Sequence, residues 1–303
     1  MTLRLILALG LSSSAFATLD TAKIDRLTGL KGTWSELEQV HKVSLPRTDM
    51  PVTVDGWTMP PFMGLTSWAA FAEGGAVQGS EVLLAGDLVL LEDEVNPVMS
   101  VLLEGGVSVT ALHNHFFFDQ PRVYFMHIGG EGTTEAMAKG VGAALAKQKQ
   151  IRTASPQPAK TFGAALAPGK NAITGATIDA ALGTKGQANN GMFKVVIGRQ
   201  VAMPCGCPMT KEMGVNTWAA FAGTDDNAVV DGDFAVLEDE LQPVLKSLRG
   251  AGINVVAIHH HMTHEKPRML FLHYWGRGSV DTLVGGLKKT LAAQKAVAPA
   301  EKP

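Results

Sequence analysis

Two stretches of this chain are variants of one another, and such a chain must build two like units or one body from two like halves. Met63–Ala72 (MGLTSWAAFA) returns as Met213–Ala222 (MGVNTWAAFA), and Gly86–Val98 (GDLVLLEDEVNPV) as Gly232–Val244 (GDFAVLEDELQPV). From Gly86–Gly132 to Gly232–Gly278 the match runs without a gap, with 20 identities in 47 positions, so the repeat reaches well beyond its motifs. Upstream, Ile24–Gly32 resembles Ile178–Gly186. The expected organisation is a first repeat over 18–150, a Ser/Pro/Lys-rich linker over 151–165 around RTASPQPAK, and a second repeat over 166–297.

Within a unit, SWAAFA and GDLVLLEDE read as strands, and NPVMSVLLEGG reads as a helix with Pro97 in its first turn and Gly105-Gly106 as its stop. Two apolar strands follow, VSVTALHNH and RVYFMHIGG, joined by a turn at FDQP. TTEAMAKGVGAALAKQK is then a helix capped by threonine. The order β, β, α, β, β, α predicts an α+β fold: two tandem sandwich units, each a mostly antiparallel sheet with helices on one face. A ferredoxin-like variant is the natural candidate.

The first seventeen residues, MTLRLILALGLSSSAFA, carry one early positive charge at Arg4, an apolar run from Leu5 to Leu11, and small residues at Ala15 and Ala17. This is the layout of a secretory signal peptide over 1–17, with cleavage expected before Thr18 and a periplasmic or secreted mature chain. No later segment reaches eighteen uninterrupted apolar residues, so no transmembrane segment is expected after cleavage. A net charge of −2 gives no basic surface to steer toward nucleic acid. The two cysteines, Cys205 and Cys207, are too few to make a disulfide framework, so stability must come from the core.

Of the nine histidines, His41 stands apart. The rest fall in two copies of one segment, ALHNHFFFDQPRVYFMH (111–127) and AIHHHMTHEKPRMLFLH (257–273). On a strand, residues two apart share a face, so His113 and His115 project together. If the hairpin turn centres near Gln120, His127 lies opposite His113 on that face. His259, His261 and His273 occupy the same places in the second unit. Two histidines from one strand and a third from its neighbour can build a three-imidazole site with an open fourth position. The alternative is that these are core or surface histidines kept by duplication. His260 and His264 match Asn114 and Phe118, which points them toward solvent.

Carboxylates supply the next candidates. Glu92 and Glu94, and their counterparts Glu238 and Glu240, could act in proton transfer or as a fourth ligand. An equally good role is capping the helix that follows. Arg122 and Arg268 are expected to pair with Asp119 and Glu265 across the turns. In MPCGCPM, an extended chain would point Met203, Cys205, Cys207 and Met209 to one side as a soft-metal site suited to copper. An exposed loop or a Cys-Gly-Cys disulfide competes with that reading.

The doubled unit with SWAAFA, GDLVLLEDEVNPV and ALHNH…PRVYFMH resembles the bacterial LppY/LpqO family of exported proteins, a domain of unknown function. That resemblance implies export and the repeat but no activity. The leading expectation is therefore a periplasmic metal-binding protein. Its ligand would be a divalent transition metal, zinc favoured and copper the alternative. The competing expectation is a metal-dependent hydrolase or hydratase, in which three-histidine zinc lowers the pKa of bound water and acts on a small-molecule substrate. A cupin-like oxygenase is a weaker variant, opposed by the helix within each unit. No nucleophile-elbow motif supports serine or cysteine chemistry.

Overall fold

The computed structural model describes residues 19–75, 80–164 and 169–297; the expected signal peptide and its cleavage point lie outside them. The first half runs through helix α1 (Thr21–Thr28), the hairpin of β1 (Thr33–Ser35) and β2 (Val40–Pro46), and strands β3 (Thr66–Glu73) and β4 (Val82–Leu91). Helix α2 (Glu92–Glu104), strands β5 (Ser108–His113) and β6 (Val123–Gly132), and helix α3 (Thr134–Ala154) complete it. The second half begins with α4 (Gly175–Leu182), β7 (Gln187–Asn189), β8 (Met192–Gly198), β9 (Asn216–Thr224) and β10 (Asn227–Leu237). It ends with α5 (Glu238–Gly250), β11 (Asn254–His259), β12 (Met269–Gly278) and α6 (Val280–Lys295).

These twelve strands form one sheet in the order β1-β2-β3-β4-β6-β5-β11-β12-β10-β9-β8-β7. Neighbours are antiparallel throughout. The order reads the same from either edge, which places an approximate two-fold axis between β5 and β11. Those two strands meet at a single pair, Leu112 with Ile258. Beyond it, side chains take over. Asn96 of α2 donates from Nδ2 to the Val255 carbonyl at 3.1 Å and accepts from the Val255 N–H at 2.8 Å. Gln242 of α5 does the same for Val109, at 2.8 and 3.0 Å. The repeat therefore yields halves of one sheet, where the sequence suggested a separate sheet for each unit.

Alternation along β4 divides the core. Leu88 and Leu90 belong to a large buried cluster that also takes residues from α2, α3, α5 and α6 and runs through both halves. Val89 and Leu91 face the other way, into a small cluster with Met50, Val52, Leu65, Val123 and Phe125. The second half has the matching small cluster around Val201, Val215, Ala235, Met269 and Phe271. The helices thus cover one face of the sheet, while the opposite face is covered only locally by loops.

Two boundaries differ from the sequence reading. Helix α2 starts at Glu92, so Pro97 sits inside it and not in its first turn. The early start is favoured because the Glu94 carboxylate accepts the Leu91 N–H at 2.9 Å and three acidic residues meet the positive end of the helix dipole. Helix α3, capped by the Thr133 hydroxyl as expected, runs on to Ala154, into the stretch read as linker. Its inner face still has partners there, since Gln148 and Arg152 reach the α2 carboxylates.

Candidate metal centre

The loop-covered face carries the histidines. In β4 the pair Gly86-Asp87 interrupts an apolar run, and in β10 Gly232-Asp233 does the same. On the helix side the glycine is required by space. A Cβ at Gly232 would lie 2.2 Å from the Tyr274 ring, and one at Gly86 would lie 2.9 Å from the Ile128 side chain. Alternation then turns the aspartate to the open face. Asp87 pairs with His127 across β4 and β6, and Asp233 with His273 across β10 and β12. The sequence reading passed over both aspartates, although a carboxylate within an apolar strand of both copies was the available signal.

Register brings the remaining histidines in. His113 lies opposite Phe125, and His127 opposite Ala111, so the pairing is two residues away from one centred on Gln120. A shift of two keeps every side chain on its face, which is why His113 and His127 still approach, with ring centroids 5.1 Å apart. Strands β5 and β11 end at His113 and His259, so His115 and His261 lie just beyond them. Each is set by stacking, His115 on Phe125 at 3.3 Å and His261 on Phe271 at 3.5 Å between centroids.

In the second half these constraints converge. Asp233, His259 and His261 offer ligand atoms that all lie within 4.8 Å of one another. His261 Nε2 is 3.2 Å from His259 Nε2 and 3.3 Å from Asp233 Oδ2. Tetrahedral zinc with bonds of about 2.0–2.1 Å needs ligand atoms roughly 3.3–3.4 Å apart, so two edges of such a site are already spanned. The His261 Nδ1 faces the Gly214 carbonyl at 3.3 Å; in the tautomer that donates there, Nε2 presents its lone pair to the site. His273 stacks on His259 at 4.8 Å, with its own Nδ1 3.3 Å from the Gly232 carbonyl.

The electrostatics suit a cation. Asp233 is 2% exposed, and its Oδ1 has no hydrogen-bond partner among the described residues, nor does His259 Nδ1. Burial raises the Asp233 pKa, and His273 and His261 only partly offset it. Burial, then the neighbouring His273 and His261, lowers the His259 pKa to about 4, so its imidazole is neutral at ordinary pH. The first half has the same parts in looser order. Asp87 Oδ1 is also unpartnered and its pKa is raised by burial, while burial and His113 lower the pKa of His115. There the rings of His113 and His115 lie nearly parallel, 14° apart, where those of His259 and His261 are turned by 45°. Among the described residues no three-donor set as close as that of the second half forms around Asp87.

The other candidates are placed elsewhere. Glu94 is buried against Arg47, which donates to both its oxygens at 2.7 and 2.8 Å, and Arg152 Nε lies 2.8 Å away. Glu240 accepts from Arg199, from Gln294 at 2.8 Å, and from the Leu237 N–H at 2.9 Å. Both carboxylates thus bind a helix start to its half and face no histidine of the cluster. Glu92 and Glu238 are exposed, the latter 3.8 Å from Arg268. The turn carboxylates do not take the expected arginines; Asp119 accepts the Val123 N–H at 2.7 Å and Glu265 that of Met269 at 3.0 Å.

MPCGCPM is not extended. It turns back on itself between short strands Val201–Ala202 and Pro208–Met209, with Gly206 in the left-handed region, and Cys205 and Cys207 form a disulfide. Met209 packs into the small core, so the four sulfurs do not make a soft-metal set. His260 and His264 are exposed, and His41 is buried with its Nε2 2.7 Å from Asp25 Oδ1.

The family model described as Domain of Unknown Function (DUF1259) matches residues 22–147 and again 176–293. The chain belongs to this family. Its two matches fall on the two halves of the sheet, so the internal repeat is a repeat of the family's domain. A search of curated proteins gave no match. Among the solved structures that match are two microcompartment shell proteins. One is a trimeric bacterial microcompartment shell protein PduB, at 13% identity over 88% of this chain and 95% of that one, with a TM-score of 0.18. The other is the double ringed trimeric shell protein MSM0271 from the RMM microcompartment, at 11% identity over 72% and 84%, with a TM-score of 0.19. At such TM-scores these likenesses carry no argument about this chain.

Proposed function

We propose that this is an exported protein that binds a divalent transition metal, zinc by preference and copper as the alternative, in the His/Asp clusters on the open face of its sheet. The observation that carries the reading is the second cluster: three donors within 4.8 Å of one another, one of them a buried aspartate whose Oδ1 has no hydrogen-bond partner among the described residues. A buried carboxylate oxygen without a partner is costly, and a cation held with neutral imidazoles offsets that cost. Export rests on the N-terminal pattern and on the resemblance to the LppY/LpqO family. Among the described residues no helix is long and apolar enough to cross a membrane. The strand order β3-β4-β6-β5 with its two helices supports reading each half as a ferredoxin-like unit whose last strand has moved to the front. The deciding experiment is titration of the chelator-stripped mature chain with zinc and with Cu(II), followed by elemental analysis. One tight equivalent that disappears in Asp233→Asn and His259→Ala supports the proposal; absence of stoichiometric binding of either metal refutes it.

A second reading, hydrolysis or hydration of a small substrate by metal-bound water, is favoured by one observation. His273 borders a cavity of about 550 Å³, so the second cluster has a cleft beside it. Glu92 borders the same cavity and is the one carboxylate of the four proposed from sequence that could serve there.

A further inference from the structure

The cavity beside His273 has a composition of its own. The start of α2 and strand β6 bring Glu92 and Tyr124, the connecting segment brings Phe162, and the second half brings Asp231, Val256 and Trp275. Its volume of about 550 Å³ is in the range of small-molecule sites. The two-fold does not repeat its lining. Only one segment connects the halves, and the first-half counterparts of Trp275 and Asp231 are Gly129 and Ala85.

The connecting segment is fastened at both ends of the cavity. The Ala159 N–H donates to Asp93 Oδ2 at 3.0 Å, and the Arg277 guanidinium donates to the carbonyls of Phe162 and Ala164. Asp93 is also paired with Arg152, so its charge is matched. Glu92 and Asp231 have no ion pair among the described residues, and Lys160 is the one cationic side chain among the lining residues described. The rest of the wall is mostly apolar, with Tyr124, Phe162, Trp275 and valines, and takes its other polar side chains from Asn96, Thr161 and His273. Two solvent-reaching carboxylates without an ion pair, against one lysine, in a wall that also presents indole and phenol faces select a positive charge carried on an apolar body.

We propose that this cavity binds a small organic cation, a primary amine on an aromatic body, with the ammonium toward Glu92 and Asp231 and the ring against Trp275 and Tyr124. The occupant would lie beside His273 and so beside the second cluster. This extends the second reading above, but it requires no metal.

The test is calorimetric titration of the metal-stripped mature chain with 2-phenylethylamine, phenylacetate and 2-phenylethanol. The amine is expected to bind one to one, at least tenfold tighter than phenylacetate. Asp231→Asn should weaken the amine several-fold and leave the alcohol unchanged. Val256→Trp, at a residue already 38% exposed, should abolish binding of all three while the thermal unfolding midpoint stays in place. No binding of the amine, equal or tighter binding of phenylacetate, or amine binding that survives Val256→Trp overturns the proposal. Amine binding together with failure of the zinc titration would sink the metal reading alone, and the reverse result would sink this one alone.

Discussion

Replacing Asn96 by alanine tests whether the two halves are joined by side-chain amides more than by strand pairing. Strands β5 and β11 share only the Leu112–Ile258 pair, and the Val255 backbone is completed by the Asn96 amide in both directions. Asn96 is 3% exposed and Val255 is buried, so alanine leaves one N–H and one C=O without partners. Each buried unsatisfied group costs about 1–3 kcal/mol. Val255 borders the cavity, where water can enter and repair part of the loss, so the lower end of the range applies to each group. The expected destabilisation is about 2–3 kcal/mol for Asn96→Ala. Gln242→Ala removes the matching pair at Val109 but from a more exposed position, and about 1–2 kcal/mol is expected. Equilibrium urea unfolding followed by circular dichroism measures both. An Asn96→Ala protein within about 0.5 kcal/mol of the parent, the usual scatter for an inert surface change, would refute this account of the join.

Three further outcomes are expected. His259→Ala should remove the tightest zinc equivalent seen by calorimetry, whereas His113→Ala should leave it in place; equal losses would contradict the difference in geometry between the halves. Replacing Cys205 and Cys207 together by serine should change neither zinc nor copper stoichiometry, because the two sulfurs are bonded to each other. Glu240 bears on acid stability. Burial alone would raise its pKa, but bonds from Arg199, the Leu237 N–H and Gln294 more than offset this and hold it below the ordinary 4.5. Its contribution is therefore present above pH 4.5 and lost as pH falls through the lower folded-state value. Glu240→Gln should melt lower at neutral pH and show a flatter decline below pH 4.5; a profile parallel to the parent's would count against the network.

Much of the site was legible because strand geometry is periodic. Placing His113 and His127 on one face needed only alternation, and it survived a register error because the error was two residues, one full period, whereas His115 lies beyond the strand and is set by its stack on Phe125. The aspartates were harder to read. Asp87 and Asp233 each stand one residue after a glycine whose need is set by Ile128 and Tyr274 on a neighbouring strand, and that neighbour is known only once the strands are ordered. Likewise Glu94 and Glu240 showed as carboxylates suitable for a helix start, but the arginines that claim them, Arg47 and Arg199, are brought in by folding.

The chain by itself determined the duplication, the order of the four strands and two helices read within each copy, and the shared face of the strand histidines, because each of these is a matter of local period or of one stretch compared with another; the leading helix and hairpin of each copy, α1-β1-β2 and α4-β7-β8, went unread. Tertiary structure alone decided that the copies share one sheet. That outcome depends on which strand edges are left unpaired after each half folds, and on amides from Asn96 and Gln242 that reach partners 159 and 133 residues away. It also decided that the halves differ in their surroundings: the single connecting segment can cover only one side of a two-fold, so a cavity borders the second cluster, and none of the cavities found among the described residues borders the first.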